Sequence, residues 1–202
     1  PGEIDLLAVG SMTNLGLAIE RDPEVLNRFR FVTVLAALSH RPNDAFNYQD
    51  ANVFHSPDAA DVLFGSGSPM TVVPIDLTYK ATLSPEHLRR IKESDTPQAR
   101  LAWKILPFYC DFYQQVLGVW TASMHDPLTA GILLDPTLIK AEVERPIYVE
   151  PVLDRHWAVG LHGDQLAGLP ERKPVTIVTE ADIQRYLDRL VDALTLPLGT
   201  LS

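Results

Sequence analysis

The sequence predicts an α/β fold, a mostly parallel sheet flanked by helices. Two observations carry this. Short apolar runs at residues 4–9, 31–35 and 70–75 lack polar alternation, as strands buried on both faces do. Helical patterns separate them, and strand-helix-strand-helix-strand is the order of crossover-linked parallel strands. In such sheets ligands lie beyond the carboxyl ends of the strands. Gly10 and the loop after the second run mark that edge.

The elements follow in order. Gly10 ends the first run. Thr13-Asn14 opens a helix carrying Leu15, Leu17, Ala18 and Ile19, which closes near Asp22-Pro23. Residues 24–28 form a short helix, and 31–35 the second strand. Residues 39–52 are polar, with Pro42, Asn43 and Asp44, and form a loop longer than most connections; such loops are often functional. Ser56 can cap a helix, Pro57 suits its first position and Asp58 faces the positive dipole end. Gly65-Ser66-Gly67-Ser68-Pro69 breaks that helix before the third strand.

Ser84-Pro85-Glu86 caps a helix through Leu88 and Ile91. Thr96-Pro97 starts another with Leu101, Ile105 and Leu106, which Pro107 should kink or end. Tyr109, Phe112, Tyr113 and Val116 recur at helical spacing, as a core stripe or as an aromatic lid over a site. Residues 147–152 and 175–178 read as strands, and 160–172 as a projecting loop. Thr179-Glu180-Ala181-Asp182 resembles a capping box. Ile183, Tyr186, Leu187, Leu190, Val191 and Leu194 give the last helix a clean apolar face.

The 202 residues suffice for one domain with a sizeable core, and the chain reads as a single α/β domain over residues 1–202. Hydrophobic content is 46% and charged content 21%, ordinary for a globular protein. A formal net charge of -9 argues against nucleic-acid or anionic-membrane partners, which call for basic patches. The single cysteine, Cys110, excludes an intramolecular disulfide and fits a reducing compartment. Its aromatic neighbours suggest a buried, inert thiol. No run of about 18 apolar residues occurs, so a soluble, cytoplasmic protein is expected. Pro1-Gly2-Glu3 leads straight into a strand without an initiating Met, as in a chain cut from something longer.

Two stretches carry chemistry. Asp50-Ala51-Asn52-Val53-Phe54 reads as a short extended piece. It would project a carboxylate and an amide from one side. Together they accept and donate hydrogen bonds, which suits a polyhydroxylated ligand such as a sugar. On residue types alone the stretch also reads as a turn before a surface helix. His125-Asp126-Pro127 reads as helix punctuation, with Asp126 as N-cap. A carboxylate held rigidly there suits a metal, and the adjacent imidazole suits proton donation near neutral pH.

In this order the motifs resemble the inosine-uridine nucleoside hydrolase family. That family carries an acid-x-Asn segment followed by a helix start like Ser56-Pro57-Asp58, and His-Asp-Pro at a later helix start. It also has a Gly-Pro-Leu-Thr-Asn turn similar to Gly10-Ser11-Met12-Thr13-Asn14, and Leu77-Thr78 after the third strand matches. The resemblance implies a Rossmann-like nucleoside hydrolase fold with N-terminal strand-helix units missing from this sequence. It implies Asp126 as a calcium (Ca2+) ligand and the Val9 carbonyl as another. Asp50 and Asn52 would hold ribose hydroxyls, Leu35 would line the ribose pocket, and His125 would act as acid beside the leaving base. The family's loop Asn has three candidate counterparts, Asn43, Asp44 and Asn47. Assembly into a homodimer or homotetramer is implied too.

The departures are specific. The family's Asp-x-Asp-x-Gly-x-Asp-Asp cluster, source of most calcium ligands and of the water-activating base, has no match here. Calcium takes about 6–8 oxygens, more than Asp126 and one carbonyl supply. Asp50 replaces the family's Glu, Ala36-Ala37 its Gly-Gly and Ser11 its Pro. Two readings follow. One is calcium-dependent hydrolysis of the N-glycosidic bond of ribonucleosides, with this chain alone inactive. The other is a non-catalytic homologue that binds nucleosides or serves as a structural subunit. An unrelated nucleotide-binding module is disfavoured, since no phosphate-cradling Gly-rich loop with Lys-Ser/Thr occurs.

Overall fold

The computed structural model describes residues 1–41, 50–152 and 155–197. In chain order the elements are β1 (Leu6–Ala8), α1 (Thr13–Arg21), β2 (Val32–Leu35), α2 (Ala51–Phe54), α3 (Pro57–Gly65), β3 (Thr71–Val73) and α4 (Ile75–Thr78). Then come α5 (Pro85–Glu93), α6 (Pro97–Leu117), α7 (His125–Leu134), β4 (Ile139–Arg145), β5 (Ile147–Val152), β6 (Arg155–Gly160), β7 (Val175–Ala181) and α8 (Ile183–Thr195). Contacts divide the chain into two compact units. One comprises Pro1–Leu77 with Thr129–Ala181, the other Thr78–Leu128 with Asp182–Ser202.

The first unit holds a five-stranded sheet in the order β1-β2-β3-β7-β4. Strands β1, β2, β3 and β7 run parallel, and β4 joins antiparallel to β7. The expected mostly parallel α/β sheet is therefore present. β5 and β6 form an antiparallel pair. The core gathers Met12, Val34, Val53, Phe64, Val72 and Ile177, all essentially inaccessible. Each such side chain contributes about 1.5–3 kcal/mol when fully buried. Helices α1 and α3 meet at Gly16, where an added Cβ would lie 2.7 Å from the Ala59 Cβ.

In the second unit α5, α6 and α8 pack together. Ser84 and His87 form a capping box on α5, and His87 Nε2 lies 3.1 Å from Asp188 Oδ1. Arg90 reaches Asp192 at 2.6 Å. Cys110 is fully buried, and that burial raises its thiol pKa, as expected for an inert thiol. No helix among the described residues is long and apolar enough to cross a membrane.

Three local expectations change. Residues 179–181 extend β7 instead of opening a helix, because β4 pairs with that strand as far as Ala181. The last helix begins two residues later, with Asp182 as the cap that accepts from the Arg185 N–H. Pro107 neither ends nor splits α6, which runs over 21 residues. The proline forfeits one helical hydrogen bond, but Leu106 and Cys110, one turn apart and buried, keep both halves on one packing face. Strand β4 was not read, although Ile139, Ala141 and Val143 alternate with Lys140, Glu142 and Glu144 in the pattern of a half-exposed strand.

The Gly16 contact makes a direct prediction. Gly16→Ala gains helix propensity worth about 1 kcal/mol, yet the clash with the Ala59 Cβ should outweigh it. A net loss of about 1–2 kcal/mol is expected by urea denaturation. An unchanged or raised midpoint would show that α1 and α3 are not in this contact.

Candidate active site

In the first unit, the parallel strands aim their carboxyl ends at one edge, and the predicted residues cluster behind β2. Leu35, its last residue, is buried. The Asn52 Nδ2 donates to the Leu35 carbonyl at 2.9 Å. Ala37 follows with φ 71°, and among the described residues it alone, apart from glycines, has a positive φ. Its N–H donates to Asp50 Oδ2 at 2.7 Å, and its carbonyl accepts from the Ile75 N–H at 2.9 Å.

Asp50 through Phe54 is not extended. Residues 51–54 form the one-turn helix α2, and Asp50 is its N-cap. Asp50 Oδ1 accepts from the N–H groups of Asn52 and Val53 at 3.0 and 3.2 Å. A capping carboxylate satisfies donors that no helical carbonyl reaches, which explains the departure from the extended reading. Asp50 is 2% exposed. Burial pushes its carboxyl up to about 6, although the N–H groups of Ala37, Val53 and Asn52 pull the other way. Asn52 is half-buried.

Val9 directly follows β1 and is half-buried. The turn after it is tied to the start of α3. Ser56 stands at the cap position, but its hydroxyl bonds those of Ser11, at 3.0 Å, and Thr13 in place of a helical N–H. Ser39, beyond β2, donates to Asp76 through its N–H at 3.0 Å and its hydroxyl at 2.6 Å. The candidate loop residues Asn43, Asp44 and Asn47 lie outside the described residues.

The second unit holds the other cluster. Helix α7 starts at His125, so Asp126 lies within its first turn and does not cap it. His125 Nδ1 lies 2.6 Å from the Thr78 hydroxyl, and Nε2 lies 2.7 Å from the Tyr113 hydroxyl. The Tyr79 ring meets the imidazole edge to face, with centroids 4.6 Å apart. Desolvation lowers the His125 pKa to about 4, so the imidazole is neutral at pH 7. One ring nitrogen then donates and the other accepts. Burial likewise raises the Tyr113 pKa.

His125 and Asp126 open onto a cleft of roughly 290 Å³, walled by Leu106, Tyr109, Met124 and Pro127. Asp126 is exposed at its rim, and the cleft walls desolvate the carboxyl enough to raise its pKa. Thr78 and Tyr113 were not read from the sequence as partners of the histidine. Tyr113 was visible only as one member of an aromatic stripe, and spacing alone could not give its direction.

Among the described residues, no group of three His, Cys, Asp or Glu side chains is arranged to hold a metal. Calcium requires about 6–8 oxygens. The Asp126 carboxylate and the Val9 carbonyl are too few, and the described residues do not by themselves fit a calcium site.

Residues 1–188 match the family model described as inosine-uridine preferring nucleoside hydrolase. The inosine-uridine preferring nucleoside hydrolase of Crithidia fasciculata is 28% identical over 195 residues, 96% of this chain and 61% of that protein. The enzyme of the same description from Leishmania major is 30% identical over 203 residues, 96% of this chain and 60% of that protein. The chain thus spans about three fifths of the length of these relatives. A solved plant nucleoside hydrolase superposes with a TM-score of 0.85 at 24% identity, covering 98% of this chain and 63% of that one. At that identity the likeness speaks for the fold.

Asp50 and His125 should give opposite pH dependences of stability. The folded pKa of Asp50, about 6, lies above its ordinary value of 3.8, so its contribution is greatest at low pH and is lost as pH rises toward 6. The folded pKa of His125, about 4, lies below its ordinary value of 6.5. The unfolded chain takes up that proton first, and stability is lost as pH falls from 6.5 to 4. In Asp50→Asn, urea midpoints should decline on acidification from pH 6.5 to 4 more steeply than in the wild type. In His125→Gln they should rise relative to the wild-type trend. Identical pH trends in all three proteins would contradict both assignments.

Proposed function

The chain belongs to the inosine-uridine preferring nucleoside hydrolase family, and from that premise we propose that the protein hydrolyses the N-glycosidic bond of ribonucleosides, releasing base and ribose. The observation that carries the reading is the imidazole of His125, held between the Thr78 and Tyr113 hydroxyls at the cleft.

Breaking a glycosidic bond leaves positive charge on the sugar and electron density on the departing nitrogen. A poor leaving group needs a proton as it departs. His125 is assigned as the general acid. In its minor protonated form it is a stronger acid than a free imidazolium, because burial disfavours the charge. It gives that proton to the base nitrogen as the C1′–N bond opens and water adds to C1′, losing its own proton to solvent, and the ring returns to its neutral form bonded to the two hydroxyls. Tyr113 orients the ring through Nε2. A positioned acid of this kind contributes about 10²–10⁴-fold.

Asn52 is assigned to the pentose, its amide fixed by the Leu35 carbonyl while its oxygen can accept a sugar hydroxyl. Leu35 belongs to the same pentose-binding assignment by apolar packing, and the family resemblance places Asp50 beside them. Calcium is part of the reading through Asp126 and the Val9 carbonyl, each a ligand that the family resemblance implies. Among the described residues these donors are too few to hold the ion.

His125→Ala should lower kcat for inosine or uridine by about 10²–10⁴-fold. A riboside whose leaving group is an acidic phenol needs no proton and should lose far less. Tyr113→Phe should lower kcat by about 10-fold with KM little changed, since orientation and not binding is lost. Steady-state assays of base release by the native gene product, with calcium present, check these values. Equal losses on both substrate types would remove His125 from the acid role. Nucleoside binding without release from any nucleoside would leave the non-catalytic reading in its place.

A further inference from the structure

Three backbone N–H groups from two separate stretches converge on one buried carboxylate. Asp50 Oδ1 takes those of Asn52 and Val53, and Oδ2 takes that of Ala37. An ionised carboxyl offers about four acceptor directions, so three are spent on the chain itself. At 2% exposure, little of the group faces solvent.

Ala37 is the less ordinary of these partners. At φ 71° its Cβ crowds the following peptide, a conformation glycine adopts freely and alanine does not. Ala37 is fully buried, and its peptide groups are held on both sides, by Asp50 at the N–H and by Ile75 at the carbonyl. Strained backbone of this kind persists where the surroundings over-determine it. Two residues before it, the Leu35 carbonyl receives the Asn52 amide. The same carboxylate therefore anchors the chain leaving β2 and the helical turn that carries Asn52.

We propose that Asp50 is a positioning residue, whose carboxylate braces Ala37 in the left-handed conformation against the first turn of α2 and thereby sets the Asn52 amide for the pentose. This rests on the assignment of Asn52 to the pentose. It gives Asp50 a different part from that of a direct sugar ligand: the sugar meets Asn52, and Asp50 holds Asn52 where it can be met.

The test uses three variants and two readouts, amide hydrogen exchange and steady-state release of base from inosine and uridine. Asp50→Ser keeps a helix cap but is too short to reach Ala37. The Ala37 amide should exchange at least about 10-fold faster while Asn52 and Val53 stay protected. Turnover at subsaturating nucleoside should fall by about 10–100-fold, as displacements of about 1 Å do. Adding Ala37→Gly removes the need for a brace, and Asp50→Ser/Ala37→Gly should regain most of the lost turnover. Asp50→Glu overfills the buried site and should lose both protection and turnover. If Asp50→Ser fails to fold, Asp50→Asn replaces it, since its amide turns a donor toward the Ala37 N–H.

A direct sugar ligand behaves otherwise. Asp50→Glu would then keep or raise turnover with protection unchanged, and Ala37→Gly would rescue nothing; either result overturns the proposal. If the native gene product releases no base with calcium present, the hydrolase reading fails by itself. The brace then stands or falls on exchange at Ala37 and on whether Ala37→Gly restores the stability lost in Asp50→Ser.

Discussion

A parallel sheet sends the chain out of every strand along the same edge, and everything in the first unit follows from what must be done there. Val9 emerges from β1, Ala36 and Ala37 from β2, and Pro74 to Asp76 from β3. Peptide groups leaving a parallel strand lose their ladder partners abruptly and need others. The partners found are local and polar. Ala37 is held by Asp50 and by the Ile75 N–H, and Ser39 by Asp76. Ser11 is held by Ser56. Strand ends locked in this way make a rigid rim, and a rigid rim is what a binding site requires.

Burial sets the chemistry of both clusters, with opposite results. An acid removed from water keeps its proton longer, and a base gives its proton up sooner. Asp50 moves up to about 6 and His125 down to about 4. For Asp50, N–H donors from the backbone oppose the shift. His125 has two hydroxyls as neighbours, which bond a neutral ring as readily as a charged one and leave desolvation in control. The histidine is therefore neutral near pH 7 and acidic once protonated, a combination suited to delivering a proton and unsuited to holding one.

Much of the frame was legible before any coordinates. Apolar runs at β1, β2, β3 and β5 stand out in the sequence, although of these only β2 is shown buried along its whole length and β1, at the sheet edge, leaves Leu7 exposed. Pro at the first helical position marked α3, α5 and α6. Part of what stayed hidden depends on partners distant in sequence. β4 pairs with β7 at the sheet edge, and its alternation of Ile139, Ala141 and Val143 with charged residues is a signal that a search for continuous apolar runs passes over. α2 is one turn long, too short for periodicity to register, and exists because Asp50 caps it. At the candidate site, His125, Asn52 and Asp50 were named from residue type and order. Thr78, 47 positions from His125, was matched as a motif residue but not as the partner of the histidine, because a hydroxyl meeting an imidazole leaves no trace in local pattern.

Motif resemblance transfers residue types, and geometry decides what those types do. The family resemblance implies Glu where this chain has Asp50, and Gly where it has Ala37. Taken singly, each is a mild departure: one carboxylate drawn back, one methyl added. Folded, the two substituted positions meet in a single 2.7 Å hydrogen bond, from the N–H of Ala37 to Oδ2 of Asp50. The added methyl makes a left-handed conformation costly, and the shorter acid is what grips that same residue. Two changes that each look like erosion of a motif are, in this geometry, the two ends of one constraint. A substituted motif residue has therefore to be judged together with whatever its side chain touches, because the partner may have changed as well.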